Sequence, residues 1–318
     1  MLNLENHLDY AHWQYDTIRH LLALTVAVFA AGFVYFLATA RETAPRYRLS
    51  STISAVVMVS ATLEIFQLWL GWTNAFSFDR AAGLWRSAAA SPFSNGYRYV
   101  NWSIDVPMLL TQVLVVLGFT GAEFWRRWWR LATAGLFMIW TGYVGQFYEP
   151  PVAGLPQGWS GDAFWIWFAI STAFYLYVLY ELRRAIGSPA GEMPGDASRE
   201  FGRIWFLILG SWTLYPVAYL VPAFWADGNG ILLRQVAFTV ADITSKLVFG
   251  VMLSRAARFR SAHEGWEPAI AADPGTAPGR PEPVRLPGEG HVRGAGGTAP
   301  GRPEPIGLPG EDRVRVAE

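Results

Sequence analysis

The sequence predicts an all-α membrane protein built as a seven-transmembrane-helix bundle, and three observations predict it. Hydrophobic residues make up 52% of the 318 positions and charged residues only 16%. With a positive mean hydropathy of +0.21, that is a membrane balance rather than a soluble one. Seven apolar stretches are each long enough to cross about 30 Å of hydrocarbon at roughly 1.5 Å per residue. The arginines collect in every second connection between those stretches, the asymmetry that the positive-inside rule reads as topology.

The spans fall near residues 17–41, 49–73, 98–122, 127–148, 161–185, 200–225 and 232–258. Arginines gather after the first (Arg41, Arg46, Arg48), third (Arg126, Arg127, Arg130), fifth (Arg183, Arg184) and seventh (Arg255, Arg258, Arg260). Apart from Arg80 and Arg86 the opposite loops are nearly free of them. The N-terminus is therefore expected outside and the C-terminus in the cytoplasm, in a multi-pass protein of the cell membrane. Residues 1–16 form an extracellular segment without Lys or Arg, unlike a cleavable signal peptide. Residues 17–258 form the helical domain. From 259 to 318 runs a cytoplasmic tail in which Gly-Thr-Ala-Pro-Gly-Arg-Pro-Glu-Pro occurs at 275–283 and again at 297–305. A Pro/Gly tail of this kind buries no core and is expected to be disordered. The connection from Asn74 to Tyr97, with Pro92 and Asn95-Gly96, reads as an ordered hairpin or flap, or as a plain surface loop. Absence of cysteine excludes disulfides and thiol chemistry. The basic residues form short clusters at membrane edges and no stripe, so the partner is the lipid bilayer and not nucleic acid.

Lys246 is the only lysine in the chain, and it lies inside the apolar run Val236–Leu253. A charge in hydrocarbon costs several kcal/mol. Asp242, one turn earlier, shares its face. The two make a buried ion pair that fixes helix packing, or Lys246 uses its amine, which unlike a guanidinium forms a Schiff base with an aldehyde. The other deep ionisable groups are Glu64 in the second span and Asp105 in the third. Counted from the outer helix ends, Asp105, Glu64 and Asp242 lie roughly 10, 13 and 15 Å deep. One protonated amine needs one compensating charge, so three carboxylates at similar depth imply shared or shifted protons. In the third span Asn101, Asp105 and Gln112 are spaced by four and seven, which puts them on one face near Arg98 and Trp102. That face is a polar track through the membrane, or interhelical hydrogen-bond glue. Trp102 and Trp212 suit the flat walls of a rigid apolar ligand, with Tyr215 and Tyr219 at its sides. Trp165, Trp167 and Gly142 fit the same cavity if their faces turn inward; aromatics at helical spacing also serve as core or membrane belt.

Together these residues resemble a microbial rhodopsin over about residues 15–258. Four motifs carry the likeness: Arg98-Tyr-x-Asn-Trp102 with Asp105 and Pro107; Gly142-Tyr-Val-Gly-Gln-Phe-Tyr-Glu149; Trp212-x-x-Tyr-Pro216; and Asp242-x-x-x-Lys246. The resemblance implies all-trans retinal in the bundle core, bound as a Schiff base on Lys246. Trp102, Trp212 and Tyr215 would line the polyene, Gly142 would accommodate the ring, and Leu109 sits where members tune colour. Asn101, Asp105 and Gln112 are similar to the pattern of light-driven sodium pumps, and imply a transporter rather than an enzyme. Outward proton transport when sodium is absent goes with that expectation. In this reading Asp105 accepts the proton of Lys246, and Asn101 and Asp242 supply oxygens for a transient Na⁺. The alternatives are an outward proton pump with Asp105 as acceptor, and a photosensory rhodopsin signalling through its tail.

The resemblance also assigns outlying positions. Ser60 falls near the Schiff-base region, and Arg98 between the central cavity and the outer vestibule. Glu149 and Arg234 match an outer pair on the release route, and Glu5 a glutamate in a short N-terminal capping helix. Ser51 and Ser254 fall at the cytoplasmic entrance. Tyr15 and His20 match the protomer interface of a homo-pentamer, where Ser91 replaces a partner aspartate. Glu64 departs from the pattern, which has an apolar residue there. It is expected to face the Schiff-base pocket with Ser60 and act beside Asp105 as an additional counterion. The competing reading is a protonated glutamate hydrogen-bonded inside the bundle.

Overall fold

The computed structural model describes residues 3–88, 91–149, 161–189 and 193–266. Seven long helical segments follow one another: α1 (His12–Thr39), α2 (Arg48–Ala75), α3 (Gly96–Leu117), α4 (Gly121–Gln146), α5 (Gly161–Gly187), α6 (Gly195–Phe224) and a seventh. The seventh comprises α7 (Gly228–Asp242), a π-helical turn (Ile243–Val248) and α8 (Phe249–His263), continuous over Gly228–His263. Consecutive helices pack side by side, and α7 returns against α1. Six of the seven are long and apolar enough to cross a membrane. The exception is α4, which carries Glu123, Arg126, Arg127 and Arg130 in its first turns yet packs between α3 and α5. Large apolar side chains face outward, among them Leu24, Val34, Phe206 and Phe224. Outward apolar faces on all sides are what a bilayer solvent selects.

The helix α1 starts at His12, five residues before the span that hydropathy marks. The polar residues that suggest a loop build a helix start instead, since Gln14 Oε1 accepts the Ala11 backbone N–H at 2.9 Å. Before it, a 3₁₀ turn (Leu4–His7) tucks Leu4 and Glu5 inside. The outer connection is ordered: β1 (Phe76–Asp79) pairs antiparallel with β2 (Leu84–Ser87), and Tyr10 bridges to Trp85. The hairpin turn falls earlier than Asn95-Gly96. Asp79 Oδ1 accepts the N–H groups of Ala81 and Ala82, and Gly83 supplies φ +69°. Asn95 and Gly96 open α3 instead. Residues 259–263 of the expected tail extend α8; residues 267–318, with both copies of the repeat, lie outside the described residues.

The sharpest steric demand in the α6–α7 connection is at Gly230. Asp227 caps α7 through Asn229 and Gly230 N–H groups at 2.8 and 2.9 Å. A Cβ at position 230 would lie 1.9 Å from the backbone oxygen of Trp225, so the connection must move to admit it. Gly230→Ala is expected to destabilise the bundle by about 1–3 kcal/mol. The measurement is the thermal midpoint of helical circular dichroism, and a midpoint equal to the parent's would contradict the packing described.

Candidate functional site

Two helical periodicities and one break in periodicity assemble the site. On α3, spacings of four and seven bring Asn101, Asp105 and Gln112 to the inner face, and all three are buried. On α2, Ser60 and Glu64 are one turn apart. In the seventh span the π-helical turn contains Lys246, a local irregularity often found at functional positions. Its amine meets all three helices. Lys246 Nζ donates to Asn101 Oδ1 at 2.8 Å, and lies 3.1 Å from Asp242 Oδ1, 3.2 Å from Asp105 Oδ2 and 3.5 Å from Glu64 Oε2. Asn101 turns its Nδ2 to Ser60 Oγ at 2.6 Å. The three carboxylates that depth counting groups therefore surround one ammonium, and Glu64 faces it.

The carboxylates differ in their support. Asp242 receives Arg98 Nη1 at 2.6 Å, Trp102 Nε1 at 3.1 Å and Tyr215 OH at 2.9 Å. Neither Glu64 nor Asp105 receives a hydrogen bond among the described residues. Glu64 Oε1 has Arg98 Nη1 at 3.9 Å. Three carboxylates against two cations, Lys246 and Arg98, leave one excess negative charge in a region closed to solvent. A low-dielectric site does not hold that charge cheaply, which favours uptake of a proton by one of the three carboxylates.

Outward of this cluster Arg98 Nη2 donates to Gln235 Oε1 at 3.1 Å. Gln235 Nε2 donates in turn to Glu5 Oε1 and to Asn95 Oδ1, each at 3.0 Å. Arg234 is bonded to Glu149 and lies 3.5 Å from Glu5. Burial pushes the Glu149 carboxyl up from its ordinary range; Arg234 pulls it back and Glu5 adds to the rise. Glu5, Glu149 and Arg234, far apart in sequence, thus form one outer cluster, where the resemblance implies the Glu149–Arg234 pair and places Glu5 separately in a capping helix. Gln235 and Asn95, which link it to Arg98, are additions from the structure. The sequence signal for Gln235 is its place beside Arg234; Asn95 shows none beyond its turn propensity.

Inward of Lys246, Gln112 Oε1 accepts from Ser54 Oγ at 3.0 Å. Ser54 is a second addition; its only signal is one more small polar residue in an apolar helix. Ser51 and Ser254 are both buried, with no hydrogen bond between them. At the outer rim Tyr15 is buried within the chain, stacked on Trp85 with ring centroids 3.7 Å apart. His20 and Ser91 are exposed.

A cavity runs from Lys246 between α3, α4, α5 and α6. Asp105, Trp102 and Tyr215 line it near the amine, and Leu109, Met138, Gly142, Phe168, Ser171, Trp212 and Tyr219 complete it. A Cβ at position 142 would lie 3.2 Å from Ser171 Oγ, so glycine keeps that part of the cavity clear. The expected inward turn of Trp165 and Trp167 is not found. Trp165 is 44% exposed, and the fifth helix contributes Phe168, Ser171, Thr172 and Tyr175 instead. Spacing does not separate Trp165 from these four, since it precedes Phe168 by three and Thr172 by seven; its ring lies instead against Phe224, centroids 6.2 Å apart, while Trp167 does not line the cavity. A primary amine at one end, aromatic walls and a side-chain-free glycine fit retinal.

Comparison with known proteins agrees with this geometry. The profile of the bacteriorhodopsin-like protein family matches residues 16–259. Green-light absorbing proteorhodopsin from Gamma-proteobacterium EBAC31A08 is 23% identical over 231 residues, 72% of this chain and 82% of the relative. Archaerhodopsin-2 from Halobacterium sp. (strain aus-2) is 27% identical over 57% of this chain and 64% of its own length. Among solved structures, thermophilic rhodopsin superposes with a TM-score of 0.74 at 27% identity, over 81% of this chain and 99% of the other. Xanthorhodopsin, described as a light-driven ion pump with dual chromophore, gives 0.72 at 27% identity over the same shares. Fold, lysine-ended pocket and family profile converge: the chain belongs to the bacteriorhodopsin-like microbial rhodopsins, multi-pass membrane proteins that bind retinal through a Schiff base and serve as light-driven ion pumps or sensors.

Proposed function

We propose that this chain is a light-driven outward sodium pump. The observation that carries the reading is the pair of amides on either side of the Asp105 position. Asn101 holds Lys246 Nζ at 2.8 Å. Gln112, buried and bonded to Ser54, stands on the same face where an inner proton donor would serve a proton pump. An amide has no proton to give at neutral pH. Reprotonation of Lys246 then has to come from the acceptor itself.

Retinal, when bound, supplies the absorption of light and the isomerisation that redirects the Lys246 N–H. Asp105 Oδ2, 3.2 Å from Nζ and free of other hydrogen bonds among the described residues, takes the proton. The charge on Lys246 is the barrier to a passing cation. At 4 Å two like charges repel by about 4 kcal/mol at an effective dielectric of 20, close to a thousandfold. Neutral Lys246 removes that barrier, and Asn101 Oδ1 and Asp242 Oδ1 offer hard oxygens outward of it. Return of the proton from Asp105 to Nζ restores the barrier behind the ion. Arg98 and then the Glu5–Glu149–Arg234 cluster line the way out, while Ser51 and Ser254 border the way in. Glu64 acts as an additional counterion, supported by its 3.5 Å approach to Nζ.

An outward proton pump is the second reading, supported by the same Asp105–Lys246 contact; no relative named above is described as a sodium pump. Light-induced pH changes in cells expressing the protein separate the two. Sodium export gives alkalinisation that a protonophore enhances and that replacing Na⁺ by K⁺ removes. Acidification that persists in Na⁺ would replace the sodium reading with proton export, and no ion movement would leave a sensor. The sign of the change also tests the expected orientation, N-terminus outside. Subunit counting in detergent tests the proposed homo-pentamer, in whose interface exposed His20 can take part and Tyr15, buried within its own chain, cannot.

A further inference from the structure

The bundle has a second recess, away from the retinal pocket, on the outer surface between α4 and α5. Ala134 and Ala173 leave it open, and Trp129, Phe137, Phe174 and Tyr177 wall it. Trp129, Phe137 and Tyr177 remain 60%, 44% and 41% exposed, so the described residues do not cover this apolar slot. On the outer surface of a membrane bundle, acyl chains fill such a slot more favourably than water. From Arg130 to Phe137 it extends seven residues along α4, roughly 10 Å.

Charge selects the headgroup. Arg130 lines one end of the recess. It makes no hydrogen bond among the described residues, and its nearest carboxylate oxygen there, Glu181 Oε2, is 4.0 Å away. Arg126, Arg127, Arg183 and Arg184 stand at the same end of the two helices. Among the described residues of these two helices, Glu123, paired with Arg127 at 2.8 Å, and Glu181, 3.7 Å from Arg184, oppose them. Basic residues at a membrane edge attract anionic headgroups. We propose that this recess binds an acyl chain of an anionic phospholipid whose phosphate Arg130 holds.

Native mass spectrometry of the full-length protein tests this, after equilibration with equal amounts of dioleoyl phosphatidylglycerol and dioleoyl phosphatidylcholine. The parent is expected to retain phosphatidylglycerol over phosphatidylcholine by about fivefold. Arg130→Gln brings the ratio close to one. Ala173→Trp, at an exposed position, fills the recess and removes the retained lipid. Thr133→Trp fills it from the α4 side and serves if Ala173→Trp lacks the visible band that reports a folded bundle. Equal retention of both lipids by the parent overturns the proposal, as does undiminished lipid in a filled recess. A change in subunit number on filling also overturns it, and assigns the recess to a second copy of the chain.

Discussion

Lys246→Arg is expected to abolish the visible absorption band of protein supplied with retinal while leaving the bundle folded. A guanidinium keeps the positive charge that Glu64, Asp105 and Asp242 face, but it forms no Schiff base with an aldehyde. Lys246→Ala loses the band and the charge together. The three carboxylates then face Arg98 alone, and Arg98 lies within 4 Å of only two of them. Removing one partner from a buried ionic group costs about 3–5 kcal/mol, less whatever the carboxylates recover by taking up protons. The retinal-free forms should therefore rank parent, Lys246→Arg, Lys246→Ala in thermal midpoint, read by helical circular dichroism. A visible band in Lys246→Arg would sink the assignment of Lys246 as the covalent anchor. An Ala variant as stable as the Arg variant would remove the electrostatic account while leaving the anchor intact.

The centre of this site is legible in the sequence because helical geometry is local. Asp242 and Lys246 are one turn apart, and Asn101, Asp105 and Gln112 repeat at four and seven; each set needs only its own helix to be placed. Glu64 is reached by a weaker argument, equal depth in neighbouring spans, and the structure brings it to 3.5 Å from Nζ. Contacts that depend on which helix faces which are not legible. Ser54 bonds to Gln112 across 58 residues, and Asn95 to Glu5 across 90, with nothing in either segment naming its partner. Rotation of the fifth helix fails for a related reason. Its run Phe164-Trp-Ile-Trp-Phe168 is apolar on every side, because lipid and protein interior select the same residue types, so Trp165 and Phe168 look alike until the helix is placed. The π-helical turn at Lys246 has no compositional mark at all.

Asp105→Asn and Glu64→Gln each remove one carboxylate and keep the side chain's shape, so both leave the cluster formally neutral with every remaining group ionised. Any difference between them therefore reports position rather than charge count. Asp105→Asn removes the acceptor of the Lys246 proton, and loss of a general base at such a step costs at least about a hundredfold. Light-driven transport should fall to background while the visible band survives. Glu64→Gln leaves that acceptor in place, and transport should persist. Its effect should appear in acid titration of colour. Two carboxylates that share one proton keep a net negative charge beside Lys246 until a second proton is forced on the pair, which happens at lower pH than for a single carboxylate. Without Glu64 the colour change should move to higher pH, by about one unit, equivalent to ~1.4 kcal/mol. An unmoved titration would return Glu64 to the role of a hydrogen-bonded packing residue. Transport surviving in Asp105→Asn would shift the acceptor to Glu64, the other carboxylate near Nζ without a hydrogen bond of its own among the described residues.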